Sequence, residues 1–360
     1  MDKLERHVPA VDSDGDLFSS QTEGLRGTAW RGTDCSDTDP DVYPGTTPVG
    51  QDRYFDSNCN KVSGLLDDGV TKEDGYCANT GQIGVAILGD SAGAHFAVPE
   101  IWFRPQTWKK NSNPFVDAKF TLTNELDWPM MSWVTGFTDR CWETAPISWV
   151  EGVNVDSIYA RLVDRNRCNL NDFQNQANNG CKASSMADNT VYGLARDHFD
   201  TPMLIFLSLI GNDICNGKVN TEDRMTTPEE FYNDTMKSLW HLESILPVGS
   251  AVILTGLVEG EVLWDLLSER YHPLGEFEEN AKYSDFYGYM ECLEVSPCVA
   301  WMSADAERRR FATERAQNLT DVAEMIATDH DSDFKSFELI YMDYPIREVK
   351  TKFLLTKINF

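Results

Sequence analysis

Past residue 82 the chain shows short, uninterrupted apolar runs separated by longer helical stretches. The runs fall at residues 83–88, 203–210, 251–257 and 337–342. Apolar residues at consecutive rather than alternate positions predict strands buried on both faces, as in a parallel sheet sandwiched between helices. Between two of these runs, Thr227-Pro228-Glu229-Glu230 forms a capping box with proline at the first helical position. It predicts a helix reaching to about Leu246. A second helix is expected from about Ser303 to Ala327. The alternation is that of βαβ units, and the expected fold class is α/β, three layers around a flavodoxin-like parallel sheet. Between Val11 and about Tyr76 the periodicity is lost and Asp, Asn and Gly dominate. The chain therefore divides into an acidic, loop-rich segment over residues 1–80 and an α/β body over residues 81–360.

Composition narrows the classes of function. The 360 residues are 41% hydrophobic, enough to bury a core, and 31 basic against 58 acidic residues give a formal charge of −27. That sign disfavours a phosphate backbone as the main partner, so nucleic acid is excluded. The longest apolar stretch, 202–210 interrupted by Ser208, falls far short of the ~20 residues of a membrane span. Met1-Asp2-Lys3-Leu4-Glu5-Arg6 has no apolar core of a secretory signal. Nine cysteines without CxxC spacing nevertheless favour disulfides made in an oxidising compartment, secreted or lysosomal/vesicular. Their odd number suggests one bridge to another chain. The sequons at Asn233 and Asn318 fit a glycoprotein of that compartment.

Three clusters of oxygen ligands punctuate the front segment. They are Asp12-Ser13-Asp14-Gly15-Asp16, Asp34-Cys35-Ser36-Asp37-Thr38-Asp39, and Asp52 with Asp56-Ser57-Asn58-Cys59-Asn60. Oxygens at alternate positions of a loop can converge on one hard cation, and Ca²⁺ takes six to eight of them. Without a cation so many carboxylates would repel one another, in a segment with few large apolar residues. The expected cofactor is Ca²⁺, with Cys35 and Cys59 placed to staple the second cluster to the third. No EF-hand is implied, because no flanking helix is readable before Asp12; Glu23 is a weak further ligand.

Ligands of open parallel sheets gather beyond the carboxyl ends of the strands. The first predicted strand ends in Gly89-Asp90-Ser91-Ala92-Gly93. A serine at a tight exit from strand to helix is a candidate nucleophile, with amide donors and a helix dipole beside it and small residues that let a carbonyl approach. Gly211-Asn212-Asp213 follows the second run on the same edge, and an Asn212 amide there can donate to an oxyanion. The N–H of Gly136 is a third candidate donor.

These residues resemble the first three sequence blocks of the GDSL/SGNH hydrolases. The longer strings ILGDSAGAHF (87–96), NELDWP (124–129), RNRCN (165–169) and LIGNDICN (209–216), together with the acidic segment, are similar to the large subunit of the acyloxyacyl hydrolase family. The resemblance spans roughly residues 8–349. It implies a serine lipid esterase that releases secondary fatty acyl chains from the lipid A of lipopolysaccharide. In that reading Ser91 is the nucleophile, and Ser91 N–H, Gly136 N–H and Asn212 form the oxyanion hole. Asp12, Asp14, Asp16, Asp34, Ser36, Asp37, Asp52, Asp56, Asn58 and Asn60 become calcium ligands, with Glu73 joining from further along. The family also implies a disulfide-linked, saposin-like small subunit, for which Cys292 or Cys298 is the candidate link. The catalytic histidine of the family comes from a DxxHP-like motif after the last strand, and residues 343–360 hold no histidine. The alternative is accordingly a calcium-stabilised lipid-binding relative without the general base. An esterase for acetylated carbohydrate is a weaker option.

Other histidines are poor substitutes. His198 and His330 precede their strands, His241 lies within a helix, and His95 reads as a pocket wall. His272, followed by Pro273, is on the correct edge but lacks the aspartate three residues earlier. Arg161, Arg165 and Arg167 form a basic cluster, either a solvated surface or a contact for lipid A phosphates. Trp128, Trp133, Trp142 and Trp149 with Phe137 either line an acyl channel or pack the core.

Overall fold

Consecutive apolar residues along a strand send side chains alternately to opposite faces, so each run demands cover on both sides. The structure, a computed structural model, describes residues 7–21, 26–98, 126–137, 155–218, 220–275 and 279–344. Its five strands are β1 (Gly84–Gly89), β2 (Phe173–Asn175), β3 (Met203–Ser208), β4 (Ser250–Thr255) and β5 (Phe337–Met342). They form one parallel sheet in the order β2-β1-β3-β4-β5. The helices are α1 (Lys72–Tyr76), α2 (Ile158–Arg165), α3 (Ala183–Asp188), α4 (Pro228–Glu243), α5 (Glu261–Leu267), α6 (Tyr283–Cys292), α7 (Val299–Met302) and α8 (Ala306–His330). Ala86, Leu88, Ile205, Leu207 and Val252 face a core completed by Leu239 and Leu242 of α4 and Ala316, Leu319 and Ile326 of α8. Val85, Ile87 and Phe206 face the other way, onto Val134 and Tyr159 of α2. The result is the expected three-layer α/β architecture.

The helix boundaries follow their caps. Thr227 Oγ1 accepts from Glu230 N at 3.2 Å while Glu230 Oε2 accepts from Thr227 N at 2.8 Å, which fixes the start of α4. At α8 the cap is Asp305, whose Oδ1 accepts from Glu307 N at 2.9 Å, so this helix begins and ends three residues later than expected.

Two expectations about strands need correction. The edge strand β5 is not covered on both faces, because Glu338 and Ile340 are exposed while Phe337 and Leu339 are buried. The strand β2 carries no apolar run and escaped the periodicity. Its Gln174 is buried, with Oε1 accepting from Ala195 N at 2.9 Å and Nε2 donating to Ala195 O at 2.6 Å. A strand whose inward side chains are polar and fully bonded leaves no hydrophobic trace in the sequence.

The front segment docks along the β2 edge. Gly32 N donates to Phe173 O at 2.9 Å and Asn175 N to Trp30 O at 2.7 Å. Arg196 spans the junction, giving Nη1 to Gly45 O at 2.9 Å and Nη2 to the buried Asp172 carboxylate at 2.5 Å. Three disulfides close the described chain, Cys35–Cys59, Cys77–Cys168 and Cys215–Cys298. Cys298, proposed from the sequence as a link to a second chain, is therefore already paired. Cys181 is free and buried, Cys292 is free and exposed, and Cys141 lies outside the described residues.

Candidate active site

The chain leaves β1 at Gly89 and turns at once. Gly93 N and Ala94 N donate to Asp90 O at 3.0 and 3.2 Å, and Phe96 N to Ser91 O at 2.8 Å. His95 closes this turn in the left-handed region, at φ 54°. The helix expected after Ser91 is thus a series of tight turns, and the donors near Ser91 are individual amides without a helix dipole behind them. The small residues also serve a different end. A Cβ on Gly93 would lie 2.8 Å from Ile87 Cδ1 and 2.9 Å from Ala177 Cβ, so this glycine lets the turn press onto the core rather than admit a substrate.

Asp90 is the residue the sequence reading passed over. It is 1% exposed. Its Oδ1 accepts from Ala92 N at 3.0 Å, and its Oδ2 accepts from Ile210 N at 2.9 Å and Gly211 N at 3.1 Å. Burial raises its pKa to about 6, against the opposing pull of those three N–H groups. One carboxylate therefore ties the turn bearing Ser91 to the loop bearing Asn212, beyond the paired strand ends Gly89 and Ser208. Its position inside the Gly89-Asp90-Ser91 string was the available signal.

Asn212 is half-buried, and its side-chain amide has no partner among the described residues. Its neighbour Asp213 turns inward, accepting from Ala183 N at 3.2 Å and Thr226 Oγ1 at 2.7 Å. The loop is braced by Cys215 N donating to Gly211 O at 2.8 Å and by the Cys215–Cys298 bridge. Ser91 is half-buried, and neither its hydroxyl nor its N–H is taken by a described residue. Gly136 differs. Its N–H donates to Ser132 O at 2.8 Å, and a Cβ there would strike Ser132 O at 2.4 Å and Val155 Cγ1 at 2.6 Å. The glycine is needed for its own turn, and its N–H is not an open donor beside Ser91. That turn is nevertheless held against the Ser91 loop, since Ser132 Oγ donates to Gly93 O at 2.7 Å and Asn175 Nδ2 bridges Gly93 O at 3.0 Å and Thr135 Oγ1 at 3.1 Å.

None of the six histidines bonds to Ser91. His272 is 5% exposed, with its ring stacked 3.9 Å from that of Phe286 and Nδ1 accepting from Leu274 N at 3.3 Å. His198 meets Leu246 O at 3.1 Å, and His330 lies between Tyr232 Oη at 2.9 Å and Asp333 at 2.8 Å. His241 packs on Tyr192 at 4.3 Å. Burial beside Arg26 and Arg31 pushes His7 down to about 3. His95 is half-buried, and burial lowers its pKa.

In the front segment the first two acidic clusters come together. Carboxylate oxygens of Asp12, Asp14 and Asp37 lie within 4.8 Å of one another, as do those of Asp14, Asp16 and Asp34. Each loop orients its own carboxylates, Gly15 N donating to Asp12 Oδ1 at 2.7 Å, Phe18 N to Asp16 Oδ1 at 2.7 Å and Ser36 N to Asp34 Oδ1 at 2.7 Å. The second oxygens of Asp14, Asp16 and Asp34 are buried with no donor. Burial and neighbouring carboxylates push Asp16 up to about 7 and Asp34 to about 6. The third cluster forms a separate nest. Asn58 and Asn60 side-chain amides meet Glu73 at 3.1 and 3.2 Å, and Asp52 Oδ2 is buried without a donor. Cys35–Cys59 joins the second cluster to the third. Ser36 adjoins the first pair of clusters and Asp56 the nest, where its Oδ2 accepts from Lys61 N at 2.7 Å. Glu23 lies outside the described residues.

No family model matches the chain. Curated relatives do: it is 41% identical over 348 residues to the human acyloxyacyl hydrolase, 40% identical over 348 residues to the mouse enzyme and 41% identical over 349 residues to the rabbit enzyme. The chain is similar to the acyloxyacyl hydrolases over nearly all of its length. Each alignment takes in 96% of this chain and 58% of the relative, so the chain spans little more than half the length of the proteins it matches.

The remaining aromatic residues that are described pack within the fold, Trp128 against the turn that carries Ser91, its N donating to Ala94 O at 3.2 Å. Trp128 is buried, its Nε1 donating to Ala97 O at 2.9 Å, and Trp133 lies edge-on to Phe206 at 5.2 Å. Phe137 packs on Phe173 at 5.3 Å. Trp142 and Trp149 lie outside the described residues. Arg161 is engaged by Asp156 at 2.6 Å. Arg165 and Arg167 lead into β2, at the opposite edge of the sheet from Ser91.

Proposed function

We propose that this chain is an acyloxyacyl hydrolase-like lipid esterase acting on secondary acyl esters of lipopolysaccharide lipid A, with Ser91 as nucleophile. The observation that carries the reading is the Asp90 bridge, which sets Ser91 and Asn212 on adjoining loops at one sheet edge. In this mechanism the Ser91 hydroxyl attacks the acyl carbonyl, and the developing oxyanion is held by Ser91 N–H and the Asn212 amide. An imidazole takes the serine proton and returns it to the leaving hydroxyl. The acyloxyacyl hydrolase name of the relatives supports the ester class. The deciding experiment treats the full chain with a fluorophosphonate probe, which labels only an activated serine, and then measures fatty-acid release from lipopolysaccharide against short acetyl esters.

A second reading, a calcium-stabilised lipid-binding relative without turnover, draws on the absence of any imidazole bonded to Ser91. It requires the fluorophosphonate to leave Ser91 unlabelled.

Asp90 makes this proposal testable through a neighbour. In Asp90→Asn one acceptor becomes an NH₂ group facing backbone donors, leaving at least one buried N–H unmet. That costs ~1–3 kcal/mol; if it falls on the transition state it is a roughly 5- to 150-fold fall in fluorophosphonate labelling rate. A rate equal to wild type, in a variant with unchanged circular dichroism, counts against the bridge.

The carboxylate trios around Asp14 fit Ca²⁺, because the donor-less buried oxygens of Asp14, Asp16 and Asp34 are the ligands a hard cation takes; the nest of Asp52, Asp56, Asn58, Asn60 and Glu73 offers one such oxygen, Asp52 Oδ2. Bound there, Ca²⁺ would cancel carboxylate repulsion and hold the front segment against β2. The disulfides support an oxidising compartment, secreted or vesicular. For the saposin-like partner the supporting observation is the exposed free Cys292 beside exposed Tyr289, Leu293 and Val295.

A further inference from the structure

The carboxyl end of α2 meets the front segment on the side of the sheet away from Ser91. Ile83 N, just before β1, donates to Asn169 Oδ1 at 2.9 Å, and Gln82 Nε2 donates to Cys168 O at 2.8 Å. Here Val62, Tyr76, Thr80, Arg165, Asn166 and Arg167 bound a groove of about 400 Å³. Its walls are held covalently and by hydrogen bonds. Cys77–Cys168 ties the segment carrying Tyr76 and Thr80 to the one carrying Arg165 and Arg167, Asn166 Nδ2 donates to Thr80 Oγ1 at 2.8 Å, Thr80 Oγ1 to Cys77 O at 2.6 Å, and Cys168 N to Asn166 Oδ1 at 3.0 Å.

The two guanidinium groups are the part of this groove left without a partner among the described residues. Arg165 and Arg167 are both exposed, and neither side chain has a hydrogen bond or ion pair among the described residues. One turn earlier Arg161 is held by Asp156 through two bonds of 2.6 Å. In a chain with 58 acidic residues, two open forks on one rigid groove are a departure from the prevailing charge. Guanidinium forks match the paired oxygens of a phosphoryl group. Tyr76, 57% exposed, adds a flat face for the body of the molecule that carries it. The negative end of the α2 dipole opposes an anion at this place, so one guanidinium is not enough and both are required.

We propose that this groove binds a phosphomonoester, at a site separate from Ser91. The phosphomonoester is carried either by a soluble sugar or by a lipid headgroup, and the two sources are distinguishable. The full chain is titrated with glucose 6-phosphate, with glucose as control, and is floated with phosphatidylcholine vesicles with and without phosphatidic acid. Saturable binding of the sugar phosphate or selective flotation with phosphatidic acid is expected, weakened by salt. Arg165→Ala/Arg167→Ala is expected to lower affinity at least roughly tenfold, and the corresponding lysine pair, which keeps charge without the fork, to fall between. Fluorophosphonate labelling of Ser91 serves only as a fold control and is expected to be the same in all variants, as is the melting temperature. Should the double variant fail to fold, Arg167→Gln alone carries the same comparison. Equal binding by the wild type and the alanine variants, or no saturable binding by either route, overturns the proposal. Binding of the sugar phosphate alone assigns a soluble ligand, and flotation alone a lipid headgroup; either supports it.

Discussion

Ser91→Ala is expected to abolish fluorophosphonate labelling of the full chain and to lower acyl release from lipopolysaccharide by roughly 10⁴-fold or more. The size follows from the chemistry, because no other group replaces a covalent nucleophile and the remaining oxyanion donors retain only a residual rate. The fold is expected to survive. Ser91 is half-buried and its hydroxyl has no partner among the described residues, so its removal leaves no buried polar group unmet. Melting temperature should stay within ~1–2 °C of wild type, as for other substitutions that disturb no packing or bonding. Asn212→Ala supplies a graded companion, since losing one oxyanion donor costs about 10²–10³ in turnover. A wild-type chain that takes no label sinks the esterase reading and leaves the lipid-binding one. Labelling that persists in Ser91→Ala moves the nucleophile elsewhere.

Four of the five strands were legible because residues such as Val85–Leu88 and Met203–Leu207 are apolar in succession, and burial of that kind has few alternatives. Phe173–Asn175 was not, because its stability rests on Gln174 and Asn175 hydrogen bonds to distant loops, which no local pattern encodes. The position of Asn212 beyond a strand end was readable from topology rules alone. What lay beyond reach was the partner of each backbone donor. Gly136 looked open because glycine permits close approach, yet its N–H is satisfied by Ser132 four residues earlier. Asp90 looked like part of a motif, yet its carboxylate is what connects two loops 120 residues apart in the chain. Hydrogen-bond bookkeeping of this kind is a property of the folded chain, and it decides which amides near Ser91 remain available.

Chelation of calcium is the second large effect expected. At saturating metal, about 100 times the dissociation constant, each site bound only in the native state adds about 2.7 kcal/mol. For a chain of this size that is a melting temperature roughly 3–5 °C lower per site lost, read by calorimetry with and without excess chelator. The physical reason lies in the carboxylates of Asp12, Asp14, Asp16, Asp34 and Asp37, which gather with donor-less buried oxygens on Asp14, Asp16 and Asp34 and no arginine or lysine bonded to any of the five among the described residues. A bound cation would offset their mutual repulsion and burial. Asp14 is shared by both carboxylate trios, so Asp14→Asn is expected to remove most of the calcium-dependent stabilisation, while Asp41→Asn, at an exposed position in the same segment, is expected to remove none. Magnesium at the same concentration should protect less, because it demands a tight octahedron at ~2.0–2.1 Å that these splayed loops do not offer. The front segment closes on Phe173 and Asn175 next to the Gly93 turn, so loss of calcium should also slow Ser91 labelling after the melting temperature has begun to fall. A chain whose melting curve and labelling rate are both indifferent to chelator would show that the acidic loops are held by the Cys35–Cys59 bridge and their Asx turns alone.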